Sequence, residues 1–270
     1  MDLARRRNAR GDLACAIAGL ERLLRRDPRN AEAACELGLC WNRQGDLKRA
    51  TTAFRKAARL DPKSARAHAA WGTNLIYMNR PLDAEAPLHM AVRLDPGDGH
   101  AWRRLGDVAF HRGLPEAAAQ RYRRAIRANP NDARAHSSLG SALEALGRHE
   151  HAKNAYLEAL RLDPEDVTSH VELAGVLFNL DELAEAEASL RRALTLSPDD
   201  WYIHDTVARF LWERDKPAQS ERHFRTAIRL KPRFWIPHQG LGELLESTAR
   251  PKEAAKHLRR AAQLRRRGVP

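Results

Sequence analysis

Small and apolar residues recur along this chain with helical spacing, in two stripes that return many times. In the stretch from residue 133 the first stripe is His136, Leu139, Gly140 and Leu143, spaced i, i+3, i+4, i+7, as on the buried face of an amphipathic helix. The second stripe, Ala152, Tyr156 and Ala159, predicts another helix. Gly147 between them suits a left-handed helix end. Along the chain that turn position is Gly45, Asn79, Gly113, Gly147, Asp181, Asp215 and Ala249; only Ala249 fits such a backbone poorly. Two residues later Pro81, Pro115, Pro217 and Pro251 open the second helix, where a missing N–H costs nothing.

The schedule is strict. Pro28, Pro62, Pro96, Pro130, Pro164, Pro198 and Pro232 stand 34 residues apart, which marks one supersecondary unit stacked on copies of itself. Repeats are expected over 31–268, with starts at 31, 65, 99, 133, 167, 201 and 235. Numbered within each repeat, position 8 is Gly or Ala in every copy and position 27 is Ala in every copy, so helices are expected to approach closely there. Residues 1–30 read as a partial repeat, with Leu3, Ala4, Gly11, Ala16 and Leu20 in register. The chain is therefore expected to begin inside a helix pair. It ends on a charged helix, "KEAAKHLRRAAQLRRR", that either caps the array itself or continues into something larger. Pro87 falls inside a second helix, where a kink is expected.

The length of 34, "LG" at positions 7 and 8, Ala at 20 and 27, an aromatic or Leu at 24 and Pro at 32 make the chain resemble the tetratricopeptide repeat family. Two family aromatics are nearly missing: Trp at position 4 occurs only as Trp102, and an aromatic at position 11 only as Trp41. The resemblance implies an all-α fold, an α-solenoid of antiparallel helix pairs forming a right-handed superhelix. It also implies a concave groove lined by first-helix positions 2, 5, 6, 9, 12 and 13. On those positions the candidate partner-binding residues are Tyr77, Arg103, Arg104, Asp107, Phe110, Arg134, Ser141, Phe178, Tyr202, Arg209 and Trp212. Aromatic and arginine side chains are the usual anchors of a bound segment; the other reading is that they pack on neighbouring first helices. Neither family groove chemistry transfers. Arg103 and Asp107 lack the Lys and Asn companions of a carboxylate clamp, and position 6 carries no Asn ladder.

Candidate chemistry adds little. The chain has 12 histidines, and five of them, His68, His136, His170, His204 and His238, share position 4. Equivalent helices lie about 8–10 Å apart at least, too far for these rings to share a metal ion. His149 and His151 sit two apart at a helix start, on different faces. No phosphate loop, HExxH, GxSxG or dinucleotide fingerprint occurs. No catalytic residue, metal or cofactor is expected. The three cysteines, Cys15, Cys35 and Cys40, lack zinc spacing and read as packed thiols.

Charge divides the array. The net is +12, yet residues 133–200 carry 6 basic and 13 acidic residues while 201–270 carry 16 basic and 7 acidic. A nucleic-acid binder would favour one continuous basic track, so nucleic acid ranks below a protein or peptide partner. No stretch is long and apolar enough to span a membrane, and a cytoplasmic protein is expected. The leading expectation is a non-enzymatic interaction scaffold. The alternative is a substrate-recruiting repeat region of, or partner to, a larger enzyme such as a transferase. Aromatics near the C-terminal end, including Trp201 and Trp235, leave self-association possible.

Overall fold

A computed structural model describes residues 13–267. All regular structure in them is helical, and the chain divides into two compact units, Met1–Leu162 and Asp163–Pro270. The first unit contains α1 (Leu13–Arg26), α2 (Ala31–Arg43), α3 (Leu47–Leu60), α4 (Ala65–Tyr77), α5 (Pro81–Leu94), α6 (Gly99–His111), α7 (Pro115–Ala128), α8 (Ala133–Ala145) and α9 (His149–Leu162). The second contains α10 (Val167–Asn179), α11 (Leu183–Leu196), α12 (Trp201–Glu213), α13 (Pro217–Leu230), α14 (Trp235–Ser247) and α15 (Pro251–Arg266). Of the residues expected in register near the start, Leu3, Ala4 and Gly11 lie outside the described residues, while Ala16 and Leu20 are buried in α1.

The fold is an all-α solenoid of helix pairs, and short-range chemistry sets each boundary. Every first helix from α2 to α14 ends on a residue with positive φ: Gly45, Asn79, Gly113, Gly147, Asp181, Asp215 and Ala249. Ala249 adopts φ 57° like the others, although a left-handed alanine costs roughly 1–2 kcal/mol. The return to the next repeat uses a different device. Asn30, Ser64, Asp98 and Asp132 each accept a hydrogen bond from a backbone N–H in the first turn of the helix that follows, the standard side-chain cap. Pro87 is buried within α5, which runs unbroken from Pro81 to Leu94.

Packing shows why position 8 is small. A Cβ placed on Gly106 would lie 2.3 Å from the Tyr122 ring, and one on Gly140 would lie 2.7 Å from the Tyr156 ring. Gly38 and Gly72 meet Phe54 and Leu88 in the same way. Each of these partners is the position-24 residue of its own repeat, so the missing side chain on the first helix is replaced by a large one from the second. Position 3 (Ala33, Ala67, Ala101, Ala135) and position 10 (Cys40, Asn74, Val108, Ala142) are also buried. The buried face of a first helix is thus wider than the i, i+3, i+4, i+7 stripe, because it contacts its own second helix and neighbouring repeats together.

The recurring histidine is a backbone clamp. Nε2 of His68 and His136 lies 3.2 and 3.0 Å from the carbonyl oxygens of Pro62 and Pro130. In the second unit His170, His204 and His238 reach Pro164, Pro198 and Pro232 at 3.1, 3.0 and 3.3 Å. Trp102 does the same with its indole N–H, 3.0 Å from the Pro96 carbonyl. A carbonyl can only accept, so each imidazole donates from Nε2. Histidine and the family tryptophan are interchangeable here because both present an N–H at the far edge of a flat ring.

Two substitutions test this packing by sign. Gly19→Ala in α1, where an added Cβ has open space, should raise stability by about 0.5–1 kcal/mol. Gly140→Ala should instead lower it by about 1–3 kcal/mol; thermal melts moving in the same direction for both would refute the packing described. His136→Trp should melt close to the wild type, whereas His136→Leu should lose about 1 kcal/mol, and equal losses would remove the clamp.

Candidate functional site

Within the first unit the expected groove residues come together around the ends of α4, α6 and α8. Tyr77, at the last turn of α4, accepts a hydrogen bond at its hydroxyl from Arg104 Nη2 at 2.9 Å, and the guanidinium carbon stands 5.2 Å from the ring centroid. Arg104 Nη1 donates to Asp107 Oδ2 at 3.2 Å. The other Asp107 oxygen accepts from the Tyr122 hydroxyl at 3.0 Å. Phe110 and Tyr77 are 40% and 52% exposed, large rings left at the surface beside this chain of polar groups. A cavity of about 380 Å³ lies among Ile76, Asp107, Phe110, Tyr122, Ser138 and Ser141.

Two of these groups belong to second helices. Tyr122 of α7 and Tyr156 of α9 pass their rings through the gaps left by Gly106 and Gly140, which carries the hydroxyls to the first-helix side. There Tyr156 lies 3.0 Å from Ser141 Oγ and donates to Glu144 Oε2 at 3.3 Å. Burial, with Asp107 beside it, pushes the Tyr122 hydroxyl far above the usual tyrosine range. Burial also pushes the Glu144 carboxyl up, against the hydrogen bond from Tyr156. Neither tyrosine was among the sequence candidates. The available signal was a tyrosine at position 24 paired with glycine at position 8, since a phenylalanine or leucine there brings no hydroxyl across.

Arg103 departs from its expected place. Only 7% of it is exposed, and its Nε donates to Asp132 Oδ2 at 3.1 Å, while Asp132 Oδ1 caps α8 through Ala135 N–H. The guanidinium therefore ties one repeat to the helix start of the next and offers no free edge to a ligand. Position 5 is buried at Cys35, Ala69 and Arg103 and half-buried at Ser137 in this unit. Arg134 lies on the exposed side of α8.

The second unit holds the remaining candidates in a different setting. Phe178 packs edge-to-face on Phe210 with ring centroids 6.0 Å apart, and Arg214 covers Phe210 at 5.7 Å. Arg209 donates to Asp205 Oδ2 at 2.8 Å. Trp212 is half-buried against the cluster containing Ala208, Phe224 and Leu241, so much of its ring serves packing. Tyr202 is exposed beside Trp201, with centroids 5.9 Å apart.

The same unit pairs histidines. His204 Nδ1 lies 3.0 Å from His223 Nδ1, and one repeat later His238 Nδ1 lies 3.2 Å from His257 Nδ1. His204 and His238 already donate from Nε2 to proline carbonyls, so in the neutral pair their Nδ1 accepts and His223 or His257 donates. Among the described residues no group of three or more His, Cys, Asp or Glu side chains could hold a metal ion. Burial lowers the His223 and His257 values below that of ordinary imidazole, and the facing ring adds repulsion. Burial lowers His238 as well, partly opposed by the Pro232 carbonyl.

Repeated pairs of helices joined by left-handed turns and capped returns define a helical-repeat protein. The chain belongs to the tetratricopeptide repeat family: the model for the Cilia and flagella-associated protein 70 C-terminal domain matches residues 2–204, and that for the Tetratricopeptide repeat matches 208–268. No curated protein matches the chain. Among solved structures it is similar to the APC/C hetero-tetramer Cut9-Hcn1, with TM-score 0.73 and 18% identity, over 84% of this chain and 45% of that one. It thus spans under half of that relative's length. Pseudomonas aeruginosa pilF aligns at TM-score 0.68 and 22% identity, over 81% of this chain and 99% of the other. YrrB, a TPR protein with an unusual peptide-binding site, aligns at TM-score 0.56 and 20% identity, over 67% and 93%. At these identities the likeness concerns the fold. No helix of the described residues is long and apolar enough to cross a membrane.

The histidine pairs set a pH dependence. The folded values of His223, His238 and His257 lie below the unfolded value of about 6.5, so the unfolded chain takes up protons first and stability is lost as pH falls through that value. The melting temperature should be highest above pH about 6.5 and fall toward pH about 5. The double substitution His223→Gln and His257→Gln should flatten that slope, and an unchanged slope would contradict the assignment.

Proposed function

We propose that the chain is a non-catalytic interaction scaffold that holds a segment of a partner protein against the first-helix face of its first unit. The observation that carries this reading is the join of exposed rings to a fixed polar chain: Tyr77 is held by Arg104, Arg104 by Asp107 and Asp107 by the Tyr122 hydroxyl, and Asp107, Tyr122 and the exposed Phe110 line a cavity of about 380 Å³. Such a surface buries apolar side chains of a bound segment and offers hydrogen-bonding groups to its backbone, the arrangement of an interface anchor. The polar groups are already oriented by one another, so binding costs little further ordering. The buried Cys35 and Cys40 thiols, whose values burial pushes up, form no disulfide. They suit a reducing compartment such as the cytoplasm. The other candidates, Ser141 and Arg134 in this unit and Phe178, Tyr202, Arg209 and Trp212 in the second, rank behind Tyr77, Arg104 and Phe110 as contacts.

Selection from a random peptide library tests the reading. Peptides enriched on the wild-type chain should bind about tenfold more weakly to the Tyr77→Ala, Arg104→Ala double variant and equally well to Arg222→Ala, with helicity unchanged in both. Enriched peptides indifferent to the double variant would place the binding surface elsewhere.

A further inference from the structure

The outer side of the first unit carries a second surface of different chemistry. Between the second helices α7 and α9, with α8 as its floor, lies a groove of about 680 Å³. Ile126 and Leu139 lie half-buried along it, and Asn154 stands on the α9 wall. The α7 wall presents Arg123, Arg124 and Arg127. Among the described residues none of these three has an acidic partner. Other basic residues nearby are occupied: Arg121 lies 3.8 Å from Glu85, and Arg148 lies 3.5 Å from Glu116. The only acid lining the groove, Glu158, is held by Arg161 at 2.7 Å. Arg123 and Arg127 stand one helical turn apart, so like charges face each other with no acidic partner among the described residues.

We infer that this outer groove docks an acidic amphipathic helix of a partner protein, leucine-type side chains on the floor and carboxylates on Arg123 and Arg127. Charge complementarity and the apolar floor select this occupant together. A phosphate backbone would satisfy the arginines and leave the floor uncovered. Base stacking is also poorly served, because Arg124 already covers the Trp102 ring at 4.6 Å. A smaller groove of about 400 Å³ between α1 and α3 shares only the apolar floor positions, with Glu21 at the place of Arg123 and Lys56 at that of Glu158. There Leu24 and Leu37 line the floor, and the lysines Lys48 and Lys56 stand on the α3 wall opposite Glu21 of α1, so its charges do not match those of the larger groove. This surface is separate from the first-helix face and does not depend on the function proposed for that face.

Fluorescence anisotropy tests the inference with a labelled helical peptide of about 14 residues carrying Leu at i, i+3, i+4 and i+7 and Glu elsewhere. Its probes for comparison are a scrambled peptide of the same composition, a poly-glutamate of the same length and a single-stranded oligonucleotide. The amphipathic peptide should bind the wild-type chain and lose about tenfold or more on Arg123→Glu with Arg127→Glu. It should be unaffected by the same charge change on the exposed α13 residues, Arg222→Glu with Arg229→Glu, all variants retaining wild-type helicity. Absence of binding to the wild type, equal binding of the scrambled peptide or poly-glutamate, or equal losses in both double variants would overturn the proposal. Tighter binding of the oligonucleotide, reversed by Arg123→Glu with Arg127→Glu, would also overturn it and assign the groove to nucleic acid.

Discussion

The structure depends on one close approach: the backbone of a first helix against the ring or branched side chain at position 24 of its own second helix. Gly106 against Tyr122 and Gly140 against Tyr156 leave no space for a further carbon atom. Closely packed interiors transmit such a constraint rather than absorbing it. It brings the two helices of a repeat together along their whole length, and it sets where the far end of the second-helix side chain emerges. When that side chain is tyrosine, the same contact that builds the repeat delivers a hydroxyl to the first-helix face. The polar chain from Tyr77 through Arg104 and Asp107 to Tyr122 is therefore a by-product of packing as much as a separate site.

A second constraint joins one repeat to the next. The return segment uses an Asx-type turn and a side-chain cap, as at Asp61 with Lys63 N–H and Ser64 with Ala67 N–H. The proline carbonyl within it is then taken by His68, or by its equivalents including Trp102. Leaving that carbonyl unpaired beside a packed helix would cost about as much as a lost hydrogen bond. A histidine that looks like chemistry when read alone is thus a structural donor. Where a second histidine faces it, as in His238 with His257, the clamp acquires a sensitivity to protonation.

The two faces of the first unit differ in how their charges are held. On the first-helix face Arg103 is held by Asp132 and Arg104 by Asp107, beside the exposed rings of Tyr77 and Phe110. On the outer face Arg123, Arg124 and Arg127 are left uncompensated above an apolar floor. The net excess of +12 is therefore not spread evenly over the surface. It is concentrated where second helices present basic residues outward.

Periodicity alone determined the helix pairs, the left-handed turn at Gly45 and its equivalents, and the small residues at positions 8 and 27, because each is a local or strictly repeated requirement. The tertiary structure decided what one helical wheel cannot contain. A first helix touches its own second helix, the preceding second helix and neighbouring first helices, so positions 3 and 10 are buried as well, and Arg103 became an internal tie although its position was expected on the groove. Tyr122 and Tyr156 entered the first-helix face from another helix, a contribution hidden from any reading that assigns faces one helix at a time. The pairing of charges, and hence which arginines stay free, was set by distances between repeats, which the order of residues along the chain does not record.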